Sequence, residues 1–390
     1  MEIDRALSRF GASVRGEWRL EPGISYLNHG GYGATPRAVQ AAQDAWRERC
    51  ERDPTRFHSR ELPAALRAAA DAVAGALGAD GKDLVFVDNA TSGINAVLRS
   101  LVFAPGDEIV ITSLAYPAIR NAARYVAERS GARLVEVALT LPIRDLDAAR
   151  AAVAARIGKR TKLVLLDHIA SASALVLPVA ALAAAAHAVG ARVLIDGAHA
   201  PGQIALDLPS LGIDWYVGNL HKWYFAPRSC GVLWAAPGQQ AELHPLAISH
   251  GLGAGYIAEF DWTGTRDFTA ALAAPAGIEF HRKLGGAALM ARNQALAREA
   301  AMLLARIWQS ETAGPLDGFA AMATVRLAVP GAADAERAKR LSRWLAEEHH
   351  IEAAIFPEGH ALWLRVAAQA YNELGEYERL AALVATSNLP

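Results

Sequence analysis

Between residues 84 and 235 the chain alternates short apolar runs with longer helix-forming stretches. Few folds accommodate that rhythm. The runs at 84–87, 108–112, 133–137, 162–166 and 192–195 read as strands, and 94–102, 118–129, 145–157 and 179–189 as the helices between them. Repeated strand–helix units of this length predict an α/β fold with a mainly parallel sheet covered on both faces. Abundant alanine supplies the helix propensity of the connecting segments. A run at 231–234 reads as one further strand, its pairing direction open. At 390 residues and 53% apolar, the chain is too long for one small core. We divide it into a large domain, 21–275, and a smaller α+β domain made of 1–20 and 276–390.

The flanking segments are less regular. Residues 1–20 read as a short amphipathic helix, with Ile3, Leu7 and Phe10 at helical spacing. Residues 24–33 read as a short strand entering a glycine-rich loop, and a helix is expected from Pro36 to about residue 52. A polar connection at 53–60 precedes a helix at 62–77. The stretch 240–270 reads as loop-rich, and 274–308 as one long helix. Beyond it, strands or helices are expected at 324–329, 333–348, 351–356, 362–366 and 376–386.

Charge and cysteine usage exclude several classes of function. The formal net charge is −1 with no basic block, so nothing calls for a nucleic acid or a membrane surface. Only Cys50 and Cys230 are present, which argues against a disulfide framework or a structural zinc site, and no metal is expected. The first 19 residues are charged throughout and lack an apolar signal core, and no run reaches a membrane-spanning length. The expected setting is the cytoplasm.

The ends of the strands carry the chemistry. Asp196 closes the run 192–195 and is followed by Gly197, Ala198 and His199; the run 213–217 leads to Asn219, Leu220, His221 and Lys222. Open α/β sheets bind ligands beyond the carboxyl ends of their strands. Singly, these residues are ordinary caps and loop polars. Together, a carboxylate for a ring nitrogen and a lysine able to form a Schiff base are what pyridoxal 5'-phosphate (PLP) requires. The turn Asp88-Asn89-Ala90-Thr91-Ser92-Gly93 joins a strand to a helix N-terminus. There free N–H groups and the Thr91 and Ser92 hydroxyls suit a phosphate, or simply cap the helix. Tyr116, just past a strand, is the aromatic best placed to cover the cofactor ring. Ser171, past the strand 162–166, suits its phenolic oxygen. The polar stretch 261–266 is another phosphate candidate. Arg365 ends the strand 362–364 and has the fork geometry that a substrate carboxylate needs.

These pieces resemble the class-V aminotransferase family of PLP fold type I, and within it the isopenicillin N epimerase-like group. The resemblance rests on Tyr26-Leu27-Asn28-His29-Gly30, Asn89-Ala90-Thr91, Asp167-His168-Ile169, Asp196-Gly197-Ala198-His199, Asn219-Leu220-His221-Lys222-Trp223, Trp262-Thr263-Gly264-Thr265-Arg266 and Leu364-Arg365-Val366. It implies a seven-stranded, mainly parallel sheet flanked by helices, with Lys222 as the Schiff-base lysine and Asp196 as the pyridinium partner. Tyr116 takes the ring-stacking position, where many relatives use histidine. Ala90, Thr91, Ser92, Asn219 and His221 surround the phosphate, and Ser171 and His199 the phenolic oxygen. Asn28, His29 and Arg365 bind substrate. Thr263 reaches the phosphate of a neighbouring subunit, which implies a homodimer with shared sites.

One departure separates the chain from the cysteine desulfurases of the same class. They resemble it in fold but need a cysteine on a loop shortly before the carboxylate-binding arginine, and residues 353–363 contain none. The expected function is a PLP-dependent enzyme acting on an amino-acid-like substrate through an external aldimine and α-proton removal. Epimerisation, β-elimination from a cysteine sulfoxide conjugate and transamination share that step. A catalytically silent binding module is the reading from another class, and retention of both Asp196 and Lys222 argues against it.

Overall fold

The computed structural model describes residues 10–329 and 331–386. Twelve strands are present among them: β1 (Ser25–Tyr26), β2 (Leu84–Val87), β3 (Glu108–Thr112), β4 (Arg133–Val137), β5 (Thr161–Asp167), β6 (Arg192–Gly197), β7 (Trp215–Asn219), β8 (Gly231–Ala235), β9 (Met322–Arg326), β10 (Ile351–Glu352), β11 (Ala354–Glu358) and β12 (Ala361–Ala367). Seven of them form one sheet in the order β2-β8-β7-β6-β5-β3-β4. All are parallel except β8, which runs antiparallel to both β2 and β7. The expected seven-stranded α/β sheet is therefore the observed one.

Uninterrupted apolar runs make central strands because both faces of the sheet are covered. Along β5 and β6, Val164, Leu166, Val193 and Ile195 pack into one apolar cluster, while Leu163, Leu165 and Leu194 pack into another. Successive side chains of a strand point to opposite faces, so alternate residues feed the two layers. A second sheet, ordered β11-β12-β9 and antiparallel, follows in the C-terminal part, and β1 pairs in parallel with β10. The two parts meet at specific bonds. Thr324 Oγ1 of β9 donates to the Ala172 carbonyl at 2.7 Å, and the Ala367 N–H of β12 donates to the Leu27 carbonyl at 2.7 Å.

Several elements differ from expectation for identifiable reasons. The helix expected at 94–102 runs Ala90–Ser100, because the Asn89 side chain caps it by accepting from the Ser92 N–H. The polar connection at 53–60 is helical: Asp53 caps a short turn Pro54–Arg56, and a π-helical turn Phe57–Glu61 leads into Leu62–Ala76. The glycine-rich loop contains a helical turn, His29–Tyr32. The long helix at 274–308 is two, Ala274–Lys283 and Ala287–Ile307, split where Gly285 and Gly286 take φ of +113° and +54°. The loop-rich stretch holds a helix at Tyr256–Asp261. Most of the expected helix at 1–20 lies outside the described residues; Gly11–Ser13 and Arg15–Glu17 are single 3₁₀ turns.

Candidate active site

The carboxyl ends of β2, β5, β6 and β7 surround a cavity of about 450 Å³, with Tyr116 from beyond β3 on its wall. Asn89, Ala90, Thr91 and Ser92 enter it from the turn after β2. β5 contributes Asp167 and, past its end, Ile169 and Ser171, and β6 contributes Asp196, Ala198 and His199. Asn219, His221 and Lys222 come from β7 and the loop after it, and Gly31 and Tyr32 from the N-terminal turn. Ten expected residues thus share one cavity: Ala90, Thr91, Ser92, Tyr116, Ser171, Asp196, His199, Asn219, His221 and Lys222.

The lysine loop is fixed from several sides. Asn219 Oδ1 accepts the Ala90 N–H at 2.8 Å, tying the end of β7 to the start of the helix Ala90–Ser100. The N–H groups of Leu220 and His221 both donate to the Cys230 carbonyl. His29 Nε2 donates to the Lys222 carbonyl at 2.9 Å, so its Nδ1 is the acceptor for the Tyr371 hydroxyl at 2.8 Å. Gly33, at φ +69°, lies so close to this loop that a Cβ there would overlap the His221 carbonyl oxygen.

The lysine amine meets His199 Nε2 at 3.2 Å. Burial lowers Lys222 to about 7, the Arg365 charge adds to that, and Asp196 opposes it. Burial and the charges of Lys222 and Arg365 hold His199 well below the usual histidine range, so its ring is neutral. His199 Nδ1 has no hydrogen-bond partner among the described residues. Burial likewise lowers His221 to about 4.

Four expected residues lie outside this cavity. Arg365 stands behind Ser171: Nη1 donates to the Ser171 carbonyl at 2.6 Å and to its hydroxyl at 3.2 Å, and Nη2 donates to Asn28 Oδ1 at 3.0 Å. Its Nε is buried without a hydrogen-bond partner among the described residues. Burial lowers Arg365 to about 10, which leaves it cationic at neutral pH. His29, expected at the substrate, is fully buried with both ring nitrogens engaged, and it holds the lysine loop from behind. Thr263 lines a separate, smaller cavity with Ser92 and Arg266.

Asp167 was not among the expected site residues. It is paired in register with Asp196 on the adjacent strand, and both side chains are buried. Burial raises both carboxyl groups, and the Asp196 charge raises Asp167 further. The Ala198 N–H, at 3.0 Å, and the Lys222 charge draw Asp196 back down. Two buried like charges on paired strand positions are costly, and Asp167 carries the larger share of that cost. The signal was present: Asp167 ends its apolar run as Asp196 ends the next.

With this geometry in hand, comparison with known proteins places the chain. The sequence pattern of the aminotransferase class-V family matches residues 34–347, and the chain belongs to that family of fold-type-I, PLP-dependent enzymes. Isopenicillin N epimerase of Streptomyces clavuligerus is 35% identical over 389 residues, spanning 94% of this chain and 96% of that enzyme. L-cysteine desulfhydrase of Arabidopsis thaliana is 28% identical, spanning 92% of this chain and 87% of that one. The cystine C-S lyase C-DES, solved with its product cysteine persulfide, superposes with a TM-score of 0.78 at 23% identity, over 94% and 98% of the two chains.

The donor set fits PLP: a depressed lysine, a buried carboxylate, a neutral histidine with a free ring nitrogen, and a helix N-terminus bearing two hydroxyls. A buried amine must lose its proton before it attacks a carbonyl. We expect the rate of covalent PLP capture by the apoprotein to rise with pH up to about 7 and level off above it. Stopped-flow absorbance measures this. A rate still climbing towards pH 10 would contradict the depressed lysine.

Proposed function

We propose that this PLP-dependent enzyme removes the α-proton of an amino-acid-like substrate, with Lys222 as the base and Arg365 as the carboxylate anchor. The carrying observation is the Lys222 amine, set among Asp196, His199 and Arg365 and lowered by burial to about 7, so that a large share of it is free base at neutral pH. PLP, when bound, withdraws electrons from the α-carbon and makes its proton acidic. Asp196 holds a proton on the ring nitrogen that this withdrawal needs. The first turn of the helix Ala90–Ser100, with Thr91, Ser92 and Asn219, holds the phosphate; Ser171 and His199 orient the ring oxygen; Tyr116 covers one ring face. The free Nε of Arg365 supports the anchoring role, since its fork is already oriented by Ser171 and Asn28.

Epimerisation is the first reading for the step that follows, supported by the Streptomyces relative. Cleavage of a carbon–sulfur bond is the second, supported by the desulfhydrase relative. Cysteine desulfuration to alanine is not proposed. Cys230 is buried with its thiol pushed up, and Cys50 lies in the helix Arg37–Arg52; neither lines the cavity. We further propose a cytoplasmic homodimer in which Thr263 serves the neighbouring subunit's phosphate. No helix among the described residues is long and apolar enough to cross a membrane. The exposed Leu246, beside Thr263 on the smaller cavity, supports a covered face there.

Incubation of the holoenzyme in heavy water with alanine, glutamate, cysteine and a cysteine sulfoxide conjugate tests the reaction. We expect deuterium at the α-carbon, lost in Lys222→Ala. Racemised amino acid marks an epimerase, and pyruvate with ammonia marks a lyase. No exchange with any substrate, or alanine formed catalytically from cysteine, contradicts the proposal. Arg365→Ala should keep the cofactor spectrum while weakening substrate binding by about 1.5–3 kcal/mol. Loss of the cofactor in that variant would make the arginine structural. For the dimer, mixing inactive Lys222→Ala with an inactive Thr263 variant should restore part of the activity. No recovery after confirmed subunit exchange counts against shared sites.

A further inference from the structure

A second cavity, of about 430 Å³, opens beside the first and shares Tyr116 and Ser171 with it. Arg365 lines this one, so the proposed carboxylate anchor stands where the two spaces meet. Strand β11 lines it as well, and Phe356, two residues on from Ala354, lies on the same face of the strand; Leu141 and Pro117 complete its apolar lining. That strand is fixed to the anchor, because Ala354 of β11 pairs with Arg365 of β12. A substrate whose carboxylate meets Arg365 and whose α-carbon meets Lys222 has this space open to its side chain. The volume falls within the range of whole ligand pockets and far exceeds a methyl or a thiol.

Besides Arg365, the described lining includes one cation, Arg120, and that cation is already engaged. Arg120 is paired with Glu136 at 3.1 Å and donates to the Ser113 carbonyl. Glu358 lies on the same cavity, its carboxyl raised by burial. A distal carboxylate on the substrate would meet two acids for one engaged arginine. We infer that the second cavity is the side-chain subsite of the enzyme and that it selects amino acids with a large, uncharged, mainly apolar side chain. The inference rests on the function proposed above and adds the substrate class to it.

The test is a titration of the holoenzyme with alanine, norvaline, norleucine and glutamate, read as the change in the cofactor's absorption. Each added methylene buried on an apolar wall should tighten binding about 4-fold, so norleucine, three methylenes longer, should exceed alanine by about 60-fold. Glutamate should bind more weakly than norvaline. In Phe356→Ala the norleucine-to-alanine ratio should fall below about 10-fold, and Phe356→Leu should retain most of it. The ratio is read within one folded, cofactor-loaded preparation, so a general loss of stability does not imitate the effect. A spectral response to all the amino acids with no dependence on length, or glutamate binding tighter than norvaline, overturns the subsite alone. A length dependence unchanged in Phe356→Ala also overturns it. No response to any of them overturns the proposed function together with the subsite.

Discussion

The site depends on keeping one ammonium out of water. Lys222 loses hydration without gaining a direct ion pair among the described residues: its hydrogen-bond partner is His199 Nε2, a neutral acceptor. Arg365 adds positive charge from one side, and the Asp196 charge opposes it. Desolvation wins, and the amine sits near the middle of the physiological range rather than at the usual lysine value. The fold then has to hold the loop that carries it. Ala90, through the Asn219 side chain, the Cys230 carbonyl and His29 do so with bonds from three separate parts of the chain.

Those bonds link the chemistry to the architecture. The cavity forms because parallel strands end together, and their polar residues come immediately after apolar runs. The second half of the site comes from elsewhere: Arg365 belongs to the antiparallel sheet of the C-terminal part and reaches Ser171, which follows β5. Thr324, the cross-strand partner of Arg365, bonds to Ala172 beside it. The proposed substrate anchor and the contact between the two sheets therefore share the same few residues. A change at Ser171 or Thr324 would disturb both.

Much of this was legible in the sequence, because periodicity and strand-end polarity are local signals. The runs at 108–112 and 133–137 coincide with β3 and β4, and Asp196, Asn219 and Lys222 fall where the runs stop. Local pattern failed where a distant partner decides. His29 has the appearance of a site residue in a glycine-rich segment, yet Tyr371 and the Lys222 carbonyl consume both nitrogens. Asp167 looked like one more strand-end polar; its importance comes from being in register with Asp196, which sequence spacing does not encode. The break at Gly285 and Gly286 was missed because the residues on both sides are strong helix formers.

The central claim is that Lys222, among six lysines, is the one that carries the cofactor. Lys82 and Lys339 are exposed and paired with Asp80 and Glu336, as an ordinary lysine would be. Borohydride reduction of the holoenzyme followed by peptide mass mapping tests the claim most directly. The account predicts a pyridoxyl group on the peptide containing Lys222 and on no other. The same group on any other lysine, or none at all on a protein that holds the cofactor, would contradict it.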